Sequence, residues 1–266
     1  MRIFTFISLC FGSMATIAES LNPGLDAAWQ FSIGVLNENT EMSFRSTRQG
    51  DPETVFDLKD LGLDESEVVP QFGARWRFAD KWALNMGYST FGLSGHINNS
   101  RSFNFHGVTY PISADLETDL DIDLFIVSIE YAISKSDTSE WGVGVGVHGL
   151  NLSLDIDGSL NDASIGSSSE DFLAPLPNIR VFGRHAFSSK LLVTVGIGWL
   201  GLEIDKYDGN LLVGSVALDY SFNDRWAIGL SYQLTDIDLD IDNGIYDDSY
   251  EVDLSGFGLL VKYRIP

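Results

Sequence analysis

The chain has 266 residues, with 38 acidic against 16 basic side chains and a formal charge of −22. Nucleic acid is excluded as a partner by that balance, because phosphate binding needs a positive surface. Plentiful glycine (26), scarce proline (7) and 12% aromatic residues suit long strands with small inward residues.

Residues 1–18 read as a secretory signal peptide. Arg2 gives a positive start, Ile3–Phe11 is an apolar run, and Thr16-Ile17-Ala18 supplies small residues for cleavage. The run is shorter than the roughly 20 apolar residues of a membrane anchor. Cys10, the only cysteine, falls inside it, so the mature part, 19–266, is expected to lack thiols, disulfides and cysteine metal sites. No later stretch reaches the ~18 apolar residues of a spanning helix, so insertion in a membrane has to use strands.

Ten strands follow in order: 27–37, 67–78, 82–97, 114–133, 140–156, 173–187, 190–205, 210–222, 226–242 and 249–265. Short turns at Ala79–Lys81, Lys135–Ser139, Ser188–Ser189 and Asn223–Arg225 alternate with longer connections at 38–66, 98–113, 157–172 and 243–248 and a briefer one near Tyr207–Gly209. An even strand count with alternating connection lengths is the pattern of an outer-membrane barrel. Trp29, Trp82, Trp141 and Trp226 open upward strands, and Phe78, Tyr131, Phe187, Phe222 and Tyr263 close downward ones. These nine gather at one level on the outward face, as an interfacial girdle does. The expected fold is all-β: a closed, antiparallel, up-and-down transmembrane barrel of about ten strands (eight or twelve being the alternatives) in the cell outer membrane, extended on its extracellular side. Membrane lipid, lipopolysaccharide and the barrel assembly machinery are its expected partners. The last strand alternates outward through Phe257, Leu259, Val261, Tyr263 and Ile265, although the chain ends on Pro266 rather than an aromatic residue.

Further pieces carry a resemblance. Phe56-Asp57-Leu58-Lys59-Asp60-Leu61-Gly62-Leu63-Asp64, Arg75-Trp76-Arg77-Phe78, Ala174-Pro175-Leu176-Pro177 and Tyr207-Asp208-Gly209 occur in one order along most of the chain. In these the sequence resembles a family of uncharacterised Gram-negative outer-membrane β-barrel proteins. The resemblance implies the barrel and its location; no functional residue is carried over from it.

Seven strands reverse their apolar face partway along. In 226–242, Trp226, Ile228, Leu230, Tyr232 and Leu234 share one parity, and Ile237, Leu239 and Ile241 take the other, opposite Asp236, Asp238, Asp240 and Asp242. Side chains alternate across a strand with period two, so two opposite patterns meet in one strand. If the strands run on regularly, the barrel stands above the bilayer with an acidic exterior and an apolar interior. If each carries a one-residue bulge, the acids line a pore instead. The regular reading is preferred, because the other needs seven bulges at one level.

On that reading Leu120, Ile122, Leu150, Leu152, Leu154, Leu200, Leu202, Ile237, Leu239 and Val252 form an apolar extracellular vestibule. Its occupant is either a plug made by 38–66, with Val55, Phe56, Leu58, Leu61 and Leu63, or a lipid, fatty acid or hydrocarbon. Pro175, Pro177 and Pro70 interrupt pairing and suggest a side opening, or simply late-starting strands. Lower down, Arg75, Arg77, Arg180, Arg184, Lys262 and Arg264 point inward with Glu130 and Asp219, beside Asn85, Ser89 and Gln30. Desolvation makes such charges pair into a stopper.

Four histidines are present. His148 is expected inside, bonded to Glu130; His185 outside near the lower girdle; His106 in a loop. Ser94 and His96 share the outward face beside acidic residues, the parts of a hydrolase site, but without a defined acid partner, so a non-enzymatic role is expected. No cofactor is expected, apart from Ca²⁺ or Mg²⁺ bridging the acidic face to lipopolysaccharide phosphates. Binding or passage of a small hydrophobic molecule is the expected function. A purely structural barrel and a lipid-modifying enzyme are the alternatives.

Overall fold

The computed structural model describes residues 20–48, 54–100, 102–105, 108–161, 163–204, 207–242 and 246–266. The signal segment with Cys10, and His106, lie outside them. In chain order the elements are helix α1 (Pro23–Asp26), β1 (Trp29–Arg48), β2 (Thr54–Asp57), a 3-10 turn (Leu58–Leu61), β3 (Ser66–Ala79), β4 (Trp82–Asn98), β5 (Phe103–Phe105), β6 (Val108–Tyr110), β7 (Asp115–Lys135), β8 (Ser139–Leu160), β9 (Ala163–Ala186), β10 (Leu191–Ile204), β11 (Tyr207–Ser221), β12 (Trp226–Asp242) and β13 (Tyr246–Ile265).

Ten of these strands form one antiparallel sheet in the order β1-β3-β4-β7-β8-β9-β10-β11-β12-β13. Pairing of β13 with β1, from Trp29↔Ile265 to Arg48↔Tyr246, closes it into a barrel. Closure leaves no free edge strand at either end of the sheet, as spanning a bilayer with strands requires. Outward residues at the lower level are apolar and exposed, among them Phe31, Ile33 and Val35 on β1 and Val143, Val145 and Val147 on β8. Below them Trp29 stacks on Trp76 and Trp226 meets Tyr263 at a tilt, with ring centroids 5.2 and 4.8 Å apart, so aromatic contacts of the girdle cross between neighbouring strands.

The strands pass through the parity reversal without slipping. Register shifts occur between Arg77 and Ala79, between Ala132 and Ser134, and between Gly158 and Ser159, the first two at the lower rim and the third at the tip of a hairpin. Asp238 and Asp240 therefore face out and are exposed, while Ile237 and Leu239 between them are buried. Two connections expected to be long are strand instead. Residues 157–172 continue β8 and β9 into a tight hairpin, and β1 runs on through Met42 and Phe44 before β2 folds back on it. The inward alternation continues there, so leaving the ladder would strip backbone groups of partners without releasing any apolar side chain.

Both ends of the barrel are covered. From below, α1 seats Leu25 against Ala186 and Leu192, fully buried. The Asn22 side chain accepts from the Gly24 N–H and donates to the carbonyls of Ser188 and Ser189. From above, the 3-10 turn packs Leu58 and Leu61, and the following residue Leu63, into the mouth. Its end needs Gly62, whose φ of +77° is left-handed, and Gly95 on β4 lets the turn approach: a Cβ there would stand 2.5 Å from the Gly62 carbonyl oxygen. The β5–β6 hairpin adds Phe105 and Tyr110, and the Tyr110 hydroxyl meets the Ile156 carbonyl at 2.9 Å and Ser168 Oγ at 2.7 Å.

Candidate functional site

The lumen has three layers. The lowest holds the charges. Arg184 reaches Glu130 Oε2 at 2.6 Å and Glu140 Oε1 at 3.1 Å; Arg75 joins Glu140 at 3.2 Å, and Arg77 pairs with the same carboxylate. Arg180 lies 3.5 Å from Glu130. Across the lumen Lys262 meets Asp219 at 2.6 Å, and Arg264 donates to Gln30 at 3.0 Å and Ser221 at 2.7 Å. The eight residues expected in this layer all face the lumen, in two networks on opposite sides of it. Glu140, which joins three of the arginines, was not among them; its shared parity with Gly142 and Gly144 already placed it on the inward face.

The highest layer is apolar. Leu120, Ile122, Leu150, Leu152, Leu154, Ile237, Leu239 and Val252 all sit in one buried cluster with Leu58, Leu61, Phe105 and Tyr110 from the two covering segments. Of the occupants considered for the mouth, chain 38–66 is therefore present, and the void left beside Met42, Leu58 and Leu154 is about 10 Å³. An open vestibule at this level is thus corrected to a packed core. Within the proposed plug Val55 points to solvent, and the Phe56 side chain lies outside the described residues. The Leu202 side chain does too. Leu200 is only half-buried and stands apart from the cluster.

Leu200 marks a break in the wall. Pairing of β9 with β10 runs from Ala186↔Leu192 up to Ile179↔Trp199 and stops, whereas β9 continues its ladder with β8 through Pro177, Pro175 and beyond to Ala163. Prolines have no N–H to give a ladder. The seam starts where exposed Trp199, Ile179 and Leu173 still present an apolar exterior. Pro70 pairs with Val35 on one side in the same way, and the β3–β4 ladder ends beside it at Gln71↔Ser89, but there the 3-10 turn covers the freed face of β4, with Gly62 packed against Gly95.

The middle layer lies behind that seam and contains space. One cavity of about 270 Å³ is bounded by Asn85, His148, Asn178, Arg180, Ser231 and the glycines of β10. Gly196 and Gly198 leave the inner face of β10 bare: a Cβ at Gly198 would stand 2.7 Å from Val213. A second cavity, about 60 Å³, shares Gln71, His148 and Gln233 with the first and adds Glu38 and Leu176. A third, about 230 Å³, extends down among Arg75, Glu130 and Arg180. His148 bonds Asn178 at 2.6 Å and not Glu130, which Arg184 and Arg180 already engage. Asn85 Nδ2, Asn178 Oδ1, Ser231 Oγ and Glu38 Oε2 are buried without a hydrogen-bond partner. Glu38 shares the inward parity of Leu36, Met42 and Phe44, but it fell in the connection expected at 38–66.

On the outside above the lipid band, carboxylates face each other across strands: Asp236↔Asp253, Asp238↔Glu251 and Asp119↔Asp155. Partial burial and the carboxylates of Asp236, Glu251 and Asp240 raise the pKa of Asp238; burial and Asp236, Glu41, Asp238 and Glu251 raise that of Asp253. Among the described residues no three His, Cys, Asp or Glu side chains converge as metal ligands. Ser94 donates to Asp119 at 2.6 Å on this exterior, and exposed His96 pairs in register with Glu117. His185 bonds Ser139 at 2.7 Å near the lower girdle.

No family model and no curated protein matches the chain. Among solved structures it is similar to the outer membrane protease OmpT from Escherichia coli, at 12% identity and a TM-score of 0.60 over 94% of this chain and all of that one. It also matches the Pseudomonas putida toluene transporter TodX at 10% identity (TM-score 0.35, 92% of this chain, 93% of that one). A third match is the outer membrane protein OprG from Pseudomonas aeruginosa at 13% identity (TM-score 0.34, 90% and 97%). At these identities the likeness is one of fold. A closed ten-strand barrel with a lipid-facing band and aromatic girdle, in the fold it shares with OmpT, makes the chain an outer-membrane β-barrel protein.

Proposed function

We propose that this barrel binds a small hydrophobic or amphiphilic molecule that enters sideways from the outer part of the membrane, through the β9–β10 seam, into the middle cavity. The observation that carries this reading is the unpaired stretch above Ile179 and Trp199, set against a glycine-faced cavity of about 270 Å³. Entry from above would have to displace a packed core, and entry from below the buried ion pairs, each a large cost. A seam without ladder hydrogen bonds opens at much lower cost.

Protein extracted from outer membranes in a neutral detergent tests this by native mass spectrometry. A hydrophobic molecule is expected on the wild type and is lost from a folded Pro175→Val, Pro177→Val double variant able to extend the ladder. Wild type carrying nothing, or the double variant carrying the same load, overturns the reading.

The exterior carboxylate pairs support a second role at the surface. Like charges directly opposite on neighbouring strands repel, and a divalent cation shared with a lipopolysaccharide phosphate relieves that repulsion. The collar is proposed to bind that lipid through Ca²⁺ or Mg²⁺ in this way.

A further inference from the structure

Glu38 is the least expected side chain in the lumen. It points inward from β1 between Leu36 and Thr40, one position above the last apolar exterior residues, and is only 4% exposed. Its Oε2 has no hydrogen-bond partner, and no basic side chain pairs with it among the described residues. The cavity it lines is walled mainly by Leu36, Leu150, Leu176, Ile237 and Leu254, with Ser89, Thr235, His148 and the Gln233–Gln71 hydrogen bond (3.1 Å) as its polar parts and no cation among them. An ionised carboxylate in such surroundings is costly unless a cation accompanies it.

Leu176 ties this pocket to the seam. It stands between Pro175 and Pro177, the residues at which β9 has left β10, and its side chain lines the same cavity as Glu38. A molecule passing the seam therefore meets Leu176 first and the carboxyl of Glu38 on the far wall. Resting on the sideways entry set out above, we propose that the ligand is an aliphatic amine whose ammonium head pairs with Glu38 while its chain lies in the glycine-faced cavity toward the seam. An ammonium brings three donors. They match Glu38 Oε2 and the Gln71 and Gln233 amides better than a carboxylate or hydrocarbon would. The cavities of about 60 and 270 Å³ lie together near the lower edge, about 300 Å³, of pockets that hold small ligands.

The pocket also predicts how pH acts. Burial alone raises the Glu38 carboxyl to about 7. The titratable groups turned toward it are Glu67, in register on β3, and His148 on β8; β4, β7, β9, β12 and β13 present Ser89, Leu124, Leu176, Gln233, Thr235 and Leu254. An amine stays protonated well above neutrality, so its binding tightens as Glu38 ionises.

The test uses the full mature barrel in a maltoside micelle, titrated with decylamine, decanol and decanoate by calorimetry. Decylamine is expected to bind at least tenfold more tightly than the other two, and more tightly at pH 8 than at pH 6. Glu38→Gln, which keeps shape and fold, is expected to reduce decylamine to the affinity of decanol and abolish the pH dependence. Decanol or decanoate binding as well as decylamine, or an unchanged preference in the variant, overturns the amine assignment while leaving sideways entry standing. Binding of none of the three overturns both.

Discussion

Glu140 and Arg184 meet at 3.1 Å inside the barrel, and the same carboxylate also takes Arg75 and Arg77. One acid thus contacts three buried cations, of which, among the described residues, Arg184 alone has a second carboxylate, Glu130. Glu140→Gln leaves them short of a counter-charge, and breaking a buried pair costs about 3–5 kcal/mol. The variant is expected to lose its folded, fast-migrating gel band at a clearly lower temperature than wild type. Equal melting would mean that the arginines find other partners.

The seam makes a prediction about exchange. Amides on β10 from Leu200 to Ile204 that face β9 have no ladder partner, whereas those from Leu192 to Trp199 do. Hydrogen–deuterium exchange is expected to be faster in the upper segment and in 173–178 than along the β8 side, where pairing is complete. Uniform protection across β9 and β10 would show that the wall is closed.

Glu38 sets a sign for stability against pH. Its carboxyl is raised in the folded state, so the folded protein binds the proton more tightly than the unfolded chain. The contribution is full below the unfolded value, near 4.5, and is lost as pH rises through about 7. In the absence of ligand, Glu38→Gln is therefore expected to match wild type at pH 4 and exceed it at pH 8, by up to about 3 kcal/mol. Denaturant titrations at the two pH values check this, and a variant less stable at pH 8 would mean that Glu38 already has a partner.

The collar behaves in the same direction for a different reason. Asp253 faces Asp236 and lies beside Glu41, Asp238 and Glu251, so its ionisation is resisted. Asp253→Asn is expected to raise the melting temperature at pH 7, less so in high salt because these exposed charges are screened, and not at all at pH 3. With lipopolysaccharide present, EDTA is expected to lower the melting temperature of wild type. An unchanged curve would remove the cation bridge.

Much of this was legible one strand at a time. Alternation of small and apolar residues is a local signal, so the sequence already placed Trp226 on the girdle, Asp238 outside, Leu239 inside and Arg184 in the lumen. The same alternation carried β1 past Phe44, but the expected turn at 38–66 hid it, because loop lengths are set by where neighbouring strands stop. His148 was placed correctly and paired wrongly. Its parity gave the face, and only closure of the sheet brought Asn178 within 2.6 Å.

What the chain by itself determined is the period-two pattern: a membrane-spanning barrel, its level in the bilayer, and which side chains look inward. Tertiary structure decided who meets whom across the lumen. Glu140 among three arginines, Leu25 and Tyr110 closing the two ends, and Glu38 facing Leu176 all join residues far apart in sequence. Each strand's pattern fixes a face and a height but leaves open its position around the ring. That position, and with it the parting of β9 from β10, exists only once ten strands have closed on one another.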